Sequence, residues 1–120
     1  MGRKTNGESG LKYTFALFVA LASLVAALDV AAYPGAARDE KMTANHSKTN
    51  PGLVGYTTSD SFAKVDDFYK KLGSQDVPHS RVLNEVVTMV TLRFPGKKCQ
   101  VSLSRSPAKN ITVIQIFPRP

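Results

Sequence analysis

Residues 13–28 form an unbroken apolar run, sixteen positions softened only by Thr14 and Ser23, and Asp29 closes it. Such a run constrains the fold more than any other feature of the chain. It is apolar on every side and has no polar stripe, so a small domain could not hide it as a core helix. It must therefore act as an address or as an anchor, and only the remainder can fold around a core of its own.

A spanning helix needs about 20 apolar residues. A signal-peptide core is typically about 7–15 residues, with a basic segment before it and small residues after it. Arg3, Lys4 and Lys12 against Glu8 supply the basic start. Val30 and Ala32 stand at −3 and −1 of a cleavage site before Tyr33, and "GAA" at 35–37 is a second candidate. The run lies between the two lengths, nearer the signal. The first expectation is therefore a removable signal over 1–32, giving an exported protein, periplasmic or secreted. Anchoring in the inner membrane is the alternative, because a short span can be accommodated by bilayer thinning or by snorkelling flanks. Membrane contact is expected only if the segment is retained.

Removing 1–32 leaves 88 residues, enough for one small domain with a modest core. A polar N-terminal segment is expected over 33–55 and a compact domain over 56–120. The chain has a single cysteine, so no internal disulfide can staple it, and an exported domain must hold by packing alone. Residues 33–52 contain Pro34-Gly35 and Pro51-Gly52 and read as loop with a short strand. "LVGYTT" at 53–58 reads as a strand.

The clearest element is "SDSFAKVDDFYKKLG" at 59–73. Phe62, Val65, Phe68, Tyr69 and Leu72 recur at helical spacing and predict one buried stripe. Ser59, Asp60 or Ser61 can cap the N-terminus. Gly73 suits the left-handed position after the last turn. Asp66–Lys70 and Asp67–Lys71 are acid-to-base pairs four residues apart.

Beyond it, 84–94 alternates, with Val86, Thr88, Val90, Leu92 and Phe94 on one face. "PGKK" at 95–98 predicts a turn. "CQVSLSR" places Cys99, Val101 and Leu103 inward, and "ITVIQIF" at 111–117 predicts a further strand. The expected fold class is α+β: one amphipathic helix on an antiparallel sheet of three to five strands, preceded by the N-terminal apolar targeting helix.

The order of "YPGA" at 33–36, "YTTSDSFAKVDDFYKKLG" at 56–73 and paired strands resembles a pattern in small uncharacterised exported bacterial α+β proteins. In these a YPGA start follows the signal and a D-S-x-x-K-V-x-x-F-Y-K helix precedes a sheet. The likeness covers the first half of the mature chain. It implies cleavage close to Tyr33 and brings neither an activity nor catalytic residues. The polar stretch 37–52 departs from the pattern.

Charge is uneven. Over 33–80 six basic residues meet six acidic ones, whereas 81–120 carries seven basic residues against Glu85 alone. Such asymmetry favours an anionic partner, and the alternative is that the charge only keeps a small domain soluble. Outside the cytoplasm that means an envelope lipid, polysaccharide or protein, and no nucleic acid is expected. Arg93, Lys97, Lys98, Arg105 and Lys109 are the candidate anion-binding residues, expected to gather in one region if the excess is functional.

No catalytic residues, no metal ligands and no cofactor emerge. His46 and His79 sit in polar segments, and no HxxH, HExxH or CxxC spacing exists. Cys99 alternates with core residues, which disfavours a reactive thiol. Asp66 and Asp67 diverge by about 100° around a helix, so they form no acid–base pair. "NHS" at 45–47 and "NIT" at 110–112 are formal glycosylation sequons. The reading is a non-enzymatic binding or envelope-associated module, with a small extracytoplasmic enzyme or enzyme inhibitor as the alternative.

Overall fold

The computed structural model describes residues 29–119. The apolar targeting helix expected before Asp29 lies outside them. Among the described residues, no helix is long and apolar enough to cross a membrane.

The elements run β1 (Ala37–Arg38), α1 (Glu40–His46), β2 (Val54–Thr58), α2 (Phe62–Lys71), β3 (Gln75–Asp76), β4 (Val82–Leu83), β5 (Thr88–Arg93), β6 (Cys99–Arg105) and β7 (Thr112–Pro118). The strands form one antiparallel sheet in the order β1-β2-β7-β6-β5-β3, with β4 also on β5. The α+β class with a helix on an antiparallel sheet is therefore as expected, and β5, β6 and β7 are successive neighbours. The strand count is seven rather than three to five. The surplus strands are the two-residue pieces β1, β3 and β4, too short to have a period of their own.

Helix α2 forms where its stripe and caps require. The Ser61 hydroxyl accepts from the Lys64 N–H at 3.2 Å. At the other end, the Gly73 and Ser74 N–H groups return to the Lys70 and Tyr69 carbonyls at 3.0 and 3.1 Å, and Gly73 has φ +97°. That is a left-handed helix stop, which glycine adopts without a Cβ clash. Phe62, Val65 and Tyr69 are buried and Phe68 partly so, whereas Leu72 is 52% exposed. The expected stripe thus ends one turn early, with Leu72 at the C-cap, just past the last helical residue Lys71.

The buried face of α2 meets Val90 and Leu92 of β5, Val101 and Leu103 of β6, and Ile114 and Ile116 of β7. These residues stand opposite one another in register, Leu92 with Val101 and Val101 with Ile116. Cys99 completes the row and is fully buried, as its alternation predicted. Burial raises the Cys99 thiol above its ordinary value, the opposite of an activated nucleophile. Edge-on aromatic contacts extend the core sideways, from Tyr33 to Phe68 (5.2 Å), Phe68 to Tyr69 (5.0 Å) and Tyr69 to Phe94 (6.0 Å). Val86 is 77% exposed, because β5 begins only at Thr88 and Val86 lies in the turn before it.

Residues 33–52 hold more structure than loop. Asp39 caps α1 by accepting from the Met42 N–H at 2.9 Å. The Gly55 N–H donates to the Thr43 hydroxyl at 2.9 Å and so ties α1 to β2. A Cβ on Gly55 would stand 2.6 Å from the Met42 sulfur, so a glycine is what lets α1 seat. No residue of α1 is buried, so its sequence shows no stripe.

The expected Asp66–Lys70 pair does not form. Lys70 binds Asp76 at 2.7 Å and Asp66 binds Arg81 instead, while Asp67–Lys71 forms at 3.1 Å. The outer edge of β5 is covered by 75–83, a strand broken in the middle. There the Ser80 hydroxyl accepts from the Thr91 N–H at 3.1 Å, standing in for a strand partner, and donates its proton to the Val77 carbonyl at 2.7 Å, while the Thr91 carbonyl accepts from the Val77 N–H at 2.9 Å.

Candidate functional site

The turn between β5 and β6 organises one pole of the molecule. Pro95 and Gly96 occupy its corner, Gly96 at φ +80°, and the Lys97 N–H closes it on the Phe94 carbonyl at 2.9 Å. Positive φ at the third turn position selects glycine. Lys97 and Lys98 follow directly, and both are exposed.

The backbone of Lys98 is held from both sides. Its N–H donates to the Asp29 carboxylate at 3.1 and 3.3 Å. Its carbonyl accepts from the Arg119 N–H at 2.7 Å. Arg93 ends β5 beside the same turn, with an Nη2 contact to Gln75 of 3.3 Å. Arg93, Lys97, Lys98 and Arg119 thus stand at one end of the sheet, all exposed. None forms an ion pair among the described residues. Asp29 is the acid of this pole, and the Lys98 N–H together with nearby Lys97 lowers its carboxyl below the usual value.

Asp29, Val30, Ala31, Leu72, Phe94 and Lys97 line a shallow pocket of about 250 Å³ here. It combines an exposed leucine, a lysine and an aromatic wall. It offers no nucleophile with a base beside it.

Arg105 and Lys109 lie elsewhere, which corrects the expectation of one basic region. Arg105 pairs with Thr88 at the far end of β6, whereas Arg93 pairs with Gln100 near the turn. At about 3.3 Å per residue the two groups are on the order of 15–20 Å apart. Arg105 also has a structural task. Its Nη1 donates to the Asp60 carbonyl at 2.9 Å and to the Thr112 hydroxyl at 2.8 Å, and Thr112 donates to the same carbonyl at 2.7 Å. The side chain thereby latches β6 and β7 to the start of α2. Lys109 borders a groove of about 340 Å³ that also includes Met42, Thr57, Ile111 and Val113. Two other ionisable residues of that groove are committed, Asp39 to capping α1 and Arg105 to its latch. No set of acid, base and nucleophile converges there.

Arg93, Lys97 and Lys98 are legible in the sequence as members of this pole, whereas Arg119 and Asp29 are not. The signal for Arg119 was the pairing of 99–105 with 112–118, which returns the end of β7 to the turn. Nothing local in the sequence marks Asp29, since its partner is 69 residues away. Among the described residues, no group of three or more His, Cys, Asp or Glu side chains is placed to hold a metal. No family model, no curated protein and no solved structure matches the chain.

Proposed function

We propose that the protein is an exported, non-enzymatic binding module of the cell envelope that takes an anionic partner on its basic pole. The observation that carries this reading is the exposed set Arg93, Lys97, Lys98 and Arg119 at one end of the sheet, outside any ion pair among the described residues. The lysines of α2, by contrast, are paired with acids, so they add little field of their own.

Magnitude limits what this pole can do. A Lys or Arg near an anionic surface contributes about 1 kcal/mol. Four of them give about 4 kcal/mol, a Kd on the order of 1 mM. Such a site is weak for a freely diffusing protein and useful for one held close to its partner, where effective concentration replaces affinity. Lipid headgroups and acidic polysaccharide are the envelope anions that present charge at such density.

Salt elution of the full chain from an acidic polysaccharide matrix tests the reading. The wild-type chain should elute at distinctly higher salt than a Lys97→Glu/Lys98→Glu variant of equal thermal stability. Identical elution would leave the basic pole as a solubility feature.

A further inference from the structure

The peptide just after the apolar run is built into the domain. Val30 is 8% exposed and belongs to the core cluster, Ala32 packs against it, and Tyr33 is 7% exposed. The hydroxyl of Tyr69, a fully buried residue, donates to the Ala31 carbonyl at 2.9 Å. Asp29 accepts from the Lys98 N–H. Four consecutive residues thus contribute a core side chain, an acceptor for a buried hydroxyl and a cap on the β5–β6 turn.

These are the residues that cleavage before Tyr33 would remove. That cut would empty the Val30 seat, strip Tyr69 of its acceptor and place a new α-ammonium on a buried residue. In the folded domain the −3 residue of this site is in the core, so a chain cut before Tyr33 would have to fold without it. The second candidate, after "GAA", would also remove Tyr33, whose hydroxyl donates to Asp60 at 2.6 Å.

We infer that residues 29–32 stay with the domain as a docked strap, so that the apolar run before them remains attached as a membrane anchor and sets the basic pole against anionic lipid headgroups. The strap gives the orientation. Asp29 directly follows the apolar run in the chain and sits on the backbone of Lys98. Lys97 and Lys98 therefore lie beside the point where the apolar run leaves the domain, close to any headgroups that surround it. Leu72, half exposed beside Asp29 and Lys97, supplies an apolar contact at the same level. Lysines flanking a short apolar span are also the side chains that snorkel to the interface. The lipid contact rests on the proposed role of the basic pole, whereas retention of the strap does not.

The test uses the full chain exported in a bacterial host. Intact mass and a carbonate wash of membranes come first. The expected product contains residues 29–32 and stays in the washed membranes. A main product beginning at Tyr33 or Arg38 overturns the strap. A soluble product that keeps 29–32 overturns the anchor.

Amine labelling of the full chain reconstituted in phosphatidylglycerol or pure phosphatidylcholine vesicles then reads the headgroup contact. Lys109, at the other end of the domain, serves as internal control. Labelling of Lys97 and Lys98 relative to Lys109 should fall several-fold in the anionic vesicles. Equal labelling in both overturns the lipid contact whatever the mass shows. Polysaccharide elution tests the basic pole alone, so its failure leaves the strap and the anchor standing.

Discussion

Arg81 holds Asp66 through two parallel hydrogen bonds, Nη1 to Oδ2 and Nη2 to Oδ1, each 3.1 Å. The same guanidinium grips Asp76 from Nε at 2.6 Å and Nη2 at 2.9 Å. One loop residue thereby fastens the middle of α2 to β3. The fork geometry suits arginine alone, because a lysine presents a single point of charge.

Arg81→Ala should therefore destabilise the protein by about 2–3 kcal/mol, the scale of lost charge-assisted hydrogen bonds in a partly buried network. Arg81→Lys should recover less than half of that. Chemical denaturation midpoints of the three proteins check both. A lysine variant as stable as wild type would mean that charge alone, not the fork, does the fastening.

The clamp also predicts acid sensitivity. Hydrogen bonds from Arg81, reinforced by Lys70, hold the Asp76 carboxyl well below its ordinary value of 3.8. A depressed carboxyl contributes stability that is fully present above the unfolded value and lost as pH falls through the folded one. Stability should thus be flat in this respect above about pH 5 and decline below about pH 4. The decline should be shallower in Arg81→Ala. Melting temperatures between pH 2 and 6 for both proteins provide the measurement.

Tyr69 and Phe68 are neighbours in sequence and unequal in the core. Tyr69 is fully buried and Phe68 only partly. Tyr69→Ala should cost about 3–5 kcal/mol, the range for an emptied aromatic core site, and Phe68→Ala about half as much. Tyr69→Phe keeps the ring and removes the hydroxyl that reaches Ala31, so about 1 kcal/mol should be lost. Urea melts order the three variants, and a larger loss at Phe68 would contradict the packing described.

Gly55→Ala sets a Cβ against Met42. Since the clash is with a flexible thioether, a loss of about 1–2 kcal/mol is expected. Met42→Ala should relieve it, so the double variant should be more stable than the sum of the two single losses implies. Strict additivity in a double-mutant cycle would show that α1 does not rest on β2 through this contact.

Some of this architecture was legible before the fold was known. A cap among Ser59, Asp60 and Ser61, the stop at Gly73 and the apolar stripe from Phe62 are local signals within one helix, although the choice of Ser61 and the exposure of Leu72 are not among them. The Pro95-Gly96 corner and the alternation of Cys99, Val101 and Leu103 are equally local, and so the β5–β6 hairpin and the end where Lys97 and Lys98 stand could be placed. The gathering of Arg93, Lys97 and Lys98 followed from that hairpin. The separation of Arg105 from them did not, because it depends on which end of β6 each basic residue occupies and on what the guanidinium finds there.

By itself, then, the sequence determined the helix, the turns and the inward faces of the long strands, because each is set by residues within one or two turns or pleats of one another. Only the tertiary structure decided the rest. Strands of two residues have no period, and β1, β3 and β4 exist because a longer neighbour supplies their hydrogen bonds. Helix α1 buries none of its residues and is held by its cap and by Gly55. Arg81 meets Asp66 across 15 positions, Arg105 meets Asp60 across 45, and Asp29 meets Lys98 across 69. A charged or hydrogen-bonding group carries no mark of its partner in the sequence. Folding chooses the partner, by bringing to it whichever group the packed core has left within reach.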